Sequence, residues 1–109
     1  MLPNNRIATH PGKILLEEFL EPLGLTQAEL ARALTIPLNR VNELVRGKRG
    51  ITPETALLLA GYFKNSAEFW MNLQTAHDLT RAMHDFRKGD PRKRPTAVVR
   101  KSRRSMGAD

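Results

Sequence analysis

Between Leu38 and Arg49 the chain reads LNRVNELVRGKR. Val41, Leu44 and Val45 recur there at helical spacing. Leu38, Asn39, Arg40, Asn42, Glu43 and Arg46 are left facing outward. That outward set suits the edges of bases in a DNA major groove. Asn pairs bidentately with adenine and Arg with guanine, Glu accepts from cytosine, and Leu touches a thymine methyl. Arg46, Lys48 and Arg49 form a basic cluster at the far end, placed for phosphate contact, which fixes register without reading sequence. The plainer alternative is a solvated helix face followed by a solvated loop. Other chemistry lacks support. With no Cys, a disulfide, a thiolate nucleophile and a cysteine zinc site are excluded. No Ser/His/Asp set, P-loop or Gly-rich phosphate loop is visible, so neither an enzyme nor a cofactor is expected. His77 and His84 lie seven residues apart, but two His without a third ligand do not make a metal site. Glu17, Glu18 and Glu21 cluster without companion ligands and read as a solvated helix face.

Positioning these side chains requires two short helices and a turn, and residues 26–47 supply them. Thr26 is a good N-cap, and Glu29, three residues on, completes a capping-box pattern. Ala28, Leu30, Ala31 and Leu34 offer a small apolar inner face. Thr35-Ile36-Pro37 interrupts the pattern, because the residue before a proline is pushed out of the α region. A second helix follows, with Pro37 tolerated in its first turn. Gly47 ends it as a left-handed C-terminal residue would. Two such helices match the needs of a helix-turn-helix, in which the second lies in the major groove. Spacing alone leaves a plain αα-hairpin open.

The flanks add three helices. His10-Pro11-Gly12 opens the first, with Pro near its first turn. Its buried stripe is Ile14, Leu15, Leu16, Phe19, Leu20 and Leu23, and Pro22-Leu23-Gly24 ends it. Thr52-Pro53-Glu54 is a strong helix start, being N-cap, N1 proline and an acidic first turn. That helix runs to about Phe63 and is expected to bury Ala56, Leu57, Leu59, Ala60 and Phe63. Asn65-Ser66 stops it and caps a final helix from Ala67 to about Met83. Phe69, Trp70, Leu73, Ala76, Leu79 and Met83 are its apolar positions. Part of this set closes the core. Phe69, Trp70 and Leu73 are also candidates for a homodimer contact, since operator readers commonly act as two-fold pairs.

The expected organisation is a single all-α domain of five helices over residues 10–86. A loosely held arm precedes it (1–9), and a basic tail follows (87–109). The net charge of +7 is a property of that tail. Residues 87–109 hold nine Lys/Arg and two Asp, and the remaining nine basic and nine acidic residues cancel. The tail is Pro-broken and without apolar periodicity, so disorder is expected. It could follow a phosphate backbone with salt-sensitive affinity. A chain of 109 residues buries only about 60–65% of its unfolded surface, so pairing would help its stability. No apolar run approaches the ~20 residues of a membrane span. MLPNNRIATH lacks the apolar core of a secretory signal. A cytoplasmic protein is expected, at the nucleoid when bound to DNA.

TQAELARAL followed by IPLNRVNELVRGKRGITPETALLLAGYF resembles the Cro/phage-repressor-like helix-turn-helix superfamily. HPGKILLEEFLEPLGLTQ before it and FWMNLQTAHDL after it are similar to the HigA antitoxins. The resemblance covers roughly residues 8 to 82. It implies a DNA-binding antitoxin that neutralises a RelE-like (HigB-type) RNA-cleaving toxin and represses its own operon. Its partners would be operator double-stranded DNA, that toxin and a second copy of itself. It also implies that Gln27 bonds a phosphate and braces the reading helix. Two departures bear on docking: the family turn often carries Gly where this chain has Thr35, and Pro37 replaces the usual polar start of the reading helix. A basic tail would repel a basic toxin, so the neutral core is expected to make that contact. A stand-alone phage- or plasmid-type repressor shares the DNA-contact residues and differs only in lacking the toxin. A pure protein-interaction module would use none of them.

Overall fold

The computed structural model describes residues 6–87, and these form five helices. The tail from 88 onward and residues 1–5 lie outside the described residues, so the expectation of tail disorder falls outside them too. α1 spans residues 11–23. It opens with a regular turn, Pro11–Ile14, continues as a π-helical stretch, Leu15–Leu20, and closes with Glu21–Leu23. α2 is Gln27–Leu34, α3 Leu38–Val45, α4 Pro53–Phe63 and α5 Ala67–Arg87. Among the described residues no helix is long and apolar enough to cross a membrane.

The π stretch has a local cause. The Glu21 N–H reaches back five residues to the Leu16 carbonyl. Pro22 comes next; it has no N–H to give, and in a regular helix its ring would crowd the carbonyl four residues back. Widening the turn relieves that crowding. Pro22 therefore sits inside the last turn, and Gly24, at φ 64°, is the true terminator.

Four helices end in the same way. A left-handed residue follows the last turn, and the residue after it donates its N–H five positions back. Gly24 and Gly47 occupy two of these sites, Thr35 and Lys64 the others. These bonds are Leu25 to Leu20 (2.9 Å), Ile36 to Ala31 (3.0 Å), Lys48 to Glu43 (2.8 Å) and Asn65 to Ala60 (3.1 Å). Thr35 adopts φ 59° despite its branched Cβ, a conformation that such residues resist. The turn between α2 and α3 is thus made without a glycine.

The core gathers Leu15 and Leu20 of α1, Leu30, Ala31 and Leu34 of α2, Val41 and Leu44 of α3, Ile51, Ala56 and Leu59, and Trp70. Trp70 is completely buried and meets the rings of Phe19 and Phe69, each with centroids 5.0 Å away. Its indole N–H donates to Asn65 Oδ1 at 2.9 Å, which satisfies its one polar atom.

Three expected core residues lie elsewhere. Leu23 and Leu57 are each 65% exposed, and Ala28 is exposed. Leu23 falls in the final turn of α1, just before Gly24. Leu57 lies on a helix that is apolar on all sides, so periodicity could not choose its buried face. The N-terminal arm also differs from expectation. Ala8 donates its N–H to Thr80 Oγ1 (2.8 Å) and its carbonyl accepts from His77 Nδ1 (2.8 Å). The segment before α1 is therefore strapped to α5.

Candidate nucleic-acid interface

The interface is built on α2 and α3. The capping box at the start of α2 is complete. Thr26 Oγ1 accepts the Glu29 N–H (3.0 Å), and Glu29 Oε1 accepts the Thr26 N–H (2.9 Å). The Thr26 N–H, and after it the Thr26 hydroxyl, holds the Glu29 carboxyl below its usual range. α3 starts without a side-chain cap. Pro37 takes the cap position in an extended conformation (ψ 145°), and its carbonyl accepts the Arg40 N–H at 3.1 Å. Val41 and Leu44 anchor α3 in the core, and Val45 packs beside them.

The opposite face of α3 is open. Leu38 is 51% exposed, and Asn39 is exposed beside it. Together with Gln27, Ala28 and Asn42 they line an open groove of about 610 Å³ between the two helices. Asn42 is half-buried there. Its Nδ2 donates to Gln27 Oε1 at 3.2 Å, and its Oδ1 accepts from Arg46 Nη1 at 3.4 Å. Gln27 at the head of α2 is thus tied through Asn42 to Arg46 at the end of α3. Asn42 is committed to this brace at both ends of its amide, unlike Asn39.

The far end of α3 is also internally paired. Arg49 directs Nε (3.0 Å) and Nη2 (2.8 Å) to one oxygen of Glu43. Both side chains keep substantial solvent exposure. Arg40 faces a small polar hollow shared with Arg49, Thr52, Glu54 and Thr55. Lys48 and Arg49 also line a second polar cleft of about 190 Å³ with His10, His77 and Arg81. Arg81 was not singled out from sequence. It reaches the basic cluster because α5 passes behind the loop after α3, a placement with no local signal.

The HPG motif has a positional role that sequence spacing does not reveal. His10 Nδ1 accepts the Gly12 N–H (2.8 Å) and caps α1. Gly12 lies against α3, and a Cβ there would land on the Leu44 carbonyl oxygen. Pro11 and Gly12 are both buried. The N-terminus of α1 is therefore wedged on the C-terminal end of α3. His10 meets His77 edge to face, with ring centroids 4.9 Å apart. Burial, together with His77 nearby, lowers the His10 pKa from its ordinary value.

Of the residues offered for self-association, Trp70 has no surface to give, because the aromatic cluster encloses it. Leu73 is partly buried against the core. Phe69 keeps 37% of its surface. Among the described residues no group of three or more His, Cys, Asp or Glu could hold an ion. His77 is instead directed to Ala8 and His10.

Comparison with known proteins agrees with this architecture. The helix-turn-helix family profile matches residues 16–70. Virulence-associated protein I of Dichelobacter nodosus is 51% identical over 82 residues, covering 75% of this chain and 76% of that protein. The structure of Pseudomonas aeruginosa antitoxin HigA with the higBA promoter superposes with a TM-score of 0.71 at 44% identity, covering 74% of this chain and 88% of that one. An addiction module antidote protein of the HigA family from Coxiella burnetii gives 0.70 at 36% identity, covering 88% and 95%. The match across the motif and both flanks shows that the chain belongs to the HigA family of helix-turn-helix antitoxins, which are DNA-binding regulators rather than enzymes.

Proposed function

We propose that this protein binds the operator of its own operon as a dimer, represses it, and neutralises a RelE-like, HigB-type mRNA-cleaving toxin in the cytoplasm. The observation that carries the DNA half is the open face of α3, held at a fixed angle by the Gln27–Asn42 bond. Leu38 and Asn39 are the readers free to meet base edges. Arg40 joins them with no ion pair of its own among the described residues. Asn42 acts chiefly through the brace, and Glu43 reads a base only after releasing Arg49. Gln27, Arg46, Lys48 and Arg49 contact phosphates, and Arg81 extends that row. A solved HigA relative bound to its promoter supports the same use of the motif.

The toxin half rests on family membership. Its test is co-expression with the small open reading frame beside the gene. If that frame alone arrests growth, and this chain restores growth while co-eluting with its product, the antitoxin reading holds. A harmless or non-binding neighbour would leave a stand-alone repressor with the same DNA contacts. Titration with the chain's own upstream DNA separates both from a pure protein-interaction module.

A further inference from the structure

The loop after α3 carries Lys48 and Arg49, both exposed, and it is pinned on either side of them. On the near side the Lys48 N–H donates to the Glu43 carbonyl at 2.8 Å, which ties the loop to α3. On the far side Ile51 is buried, so its N–H needs a partner. The partner comes from α5, 23 positions away: Gln74 Oε1 accepts the Ile51 N–H at 2.6 Å.

The same amide donates from Nε2 to Asp78 Oδ1 at 2.9 Å, one turn further along α5. A side-chain amide can be turned either way, and this bond decides which. An ionised carboxylate only accepts, so it draws the NH2 group and leaves the amide oxygen facing Ile51. The reversed amide would set donor against donor at Ile51 and oxygen against oxygen at Asp78. Gly50 shows how closely the loop lies on this amide. A Cβ there would come within 2.9 Å of Gln74 Oε1 and 3.1 Å of its Cδ. Gly50 is not among the left-handed glycines, which are Gly24 and Gly47. Close approach to Gln74 is therefore what its position requires.

We infer that Gln74 is a positioning residue for DNA binding: through Ile51 and Gly50 it fixes the loop that offers Lys48 and Arg49 to phosphates, and Asp78 holds its amide in the accepting orientation. A loop already fixed has little freedom left to lose when its cations meet phosphates, whereas a released loop must be ordered first. The inference rests on the reading of Lys48 and Arg49 as phosphate contacts.

Fluorescence anisotropy of the full chain, with its upstream duplex and with a random duplex across a range of salt, tests it. Gln74→Met keeps the side-chain length and the charge but removes both bonds. It is expected to weaken both duplexes alike, by roughly fivefold, and to flatten the slope of log K against log salt by about one unit. Gln74→Glu combined with Asp78→Asn reverses donor and acceptor between the two side chains, keeps an acceptor for Ile51 and leaves the net charge unchanged. That pair should restore affinity and slope. With Lys48→Ala and Arg49→Ala in place, Gln74→Met should change nothing further. A wild-type slope in Gln74→Met overturns the inference, and so does an equal loss of affinity in the background without Lys48 and Arg49. Either result would leave Gln74 a role in stability alone. Should Gln74→Met lose helix content by circular dichroism, Gln74→Asn, one methylene short of Ile51, decides in the same way. Failure of the phosphate reading looks different: the variant lacking Lys48 and Arg49 would itself bind with the wild-type slope.

Discussion

The guanidinium of Arg49 closes on a single carboxylate oxygen of Glu43, with Nη2 at 2.8 Å and Nε at 3.0 Å. Two residues suited to separate tasks on DNA therefore neutralise each other in the free protein. An ion pair this exposed contributes only about 0–1 kcal/mol. A phosphate can thus draw Arg49 away at little cost. Glu43→Gln should free the arginine in advance. Affinity for random DNA is expected to rise several-fold, and the slope of log K against log salt to steepen by about one unit. An unchanged slope would mean that Arg49 does not reach a phosphate.

Asn39 and Asn42 should behave differently although both are outward amides on α3. Asn39→Ala is expected to cost roughly 1–3 kcal/mol, confined to one operator position. Asn42→Ala should weaken all sequences alike, because it removes the brace to Gln27 and Arg46. Titration against a panel of single-base operator variants distinguishes the two patterns.

Gly12→Ala should disturb the reading helix from a distance. The new methyl would meet the Leu44 carbonyl, which is backbone and cannot rotate away. Overpacking of this sort costs about 1–3 kcal/mol. The denaturation midpoint should fall, and operator affinity with it. Retention of both at wild-type values would refute the wedge.

Thr35→Gly should stabilise the protein. Thr35 holds φ 59°, where a branched residue is strained by about 1–3 kcal/mol. Glycine removes that strain but loses more chain entropy on folding, so the net gain is about 1 kcal/mol. For a domain of this size that raises Tm by about 4–8 °C, readable by calorimetry. Thr35 is exposed, so no packing is lost.

Stability should decline on mild acidification through His10. Its Nδ1 must be unprotonated to accept the Gly12 N–H, and its pKa in the fold is lowered. The unfolded chain, with a value of about 6.5, therefore binds more protons as pH falls. The contribution is full above about pH 6.5, falls as pH drops toward the lowered folded value, and levels off below it. Urea midpoints across this window should drop for wild type and flatten for His10→Asn, which can still cap.

Much of the local structure was legible in the sequence. The capping box of Thr26 and Glu29, the Thr52-Pro53 start and the Gly47 stop each involve groups within a few residues of one another. Their bonds and dihedrals follow from neighbours whatever the rest of the chain does. The resemblance of the flanks identified the family for the same reason, since its motifs are contiguous. Tertiary structure decided the rest. Leu57 and Trp70 are both large apolar residues inside helices, and only the arrival of other elements made one a surface and the other a core. The bonds of Ala8 to Thr80 and of Asn42 to Gln27 span 72 and 15 positions. Such contacts depend on how helices dock, and docking is set by the summed burial of many side chains rather than by any local signal.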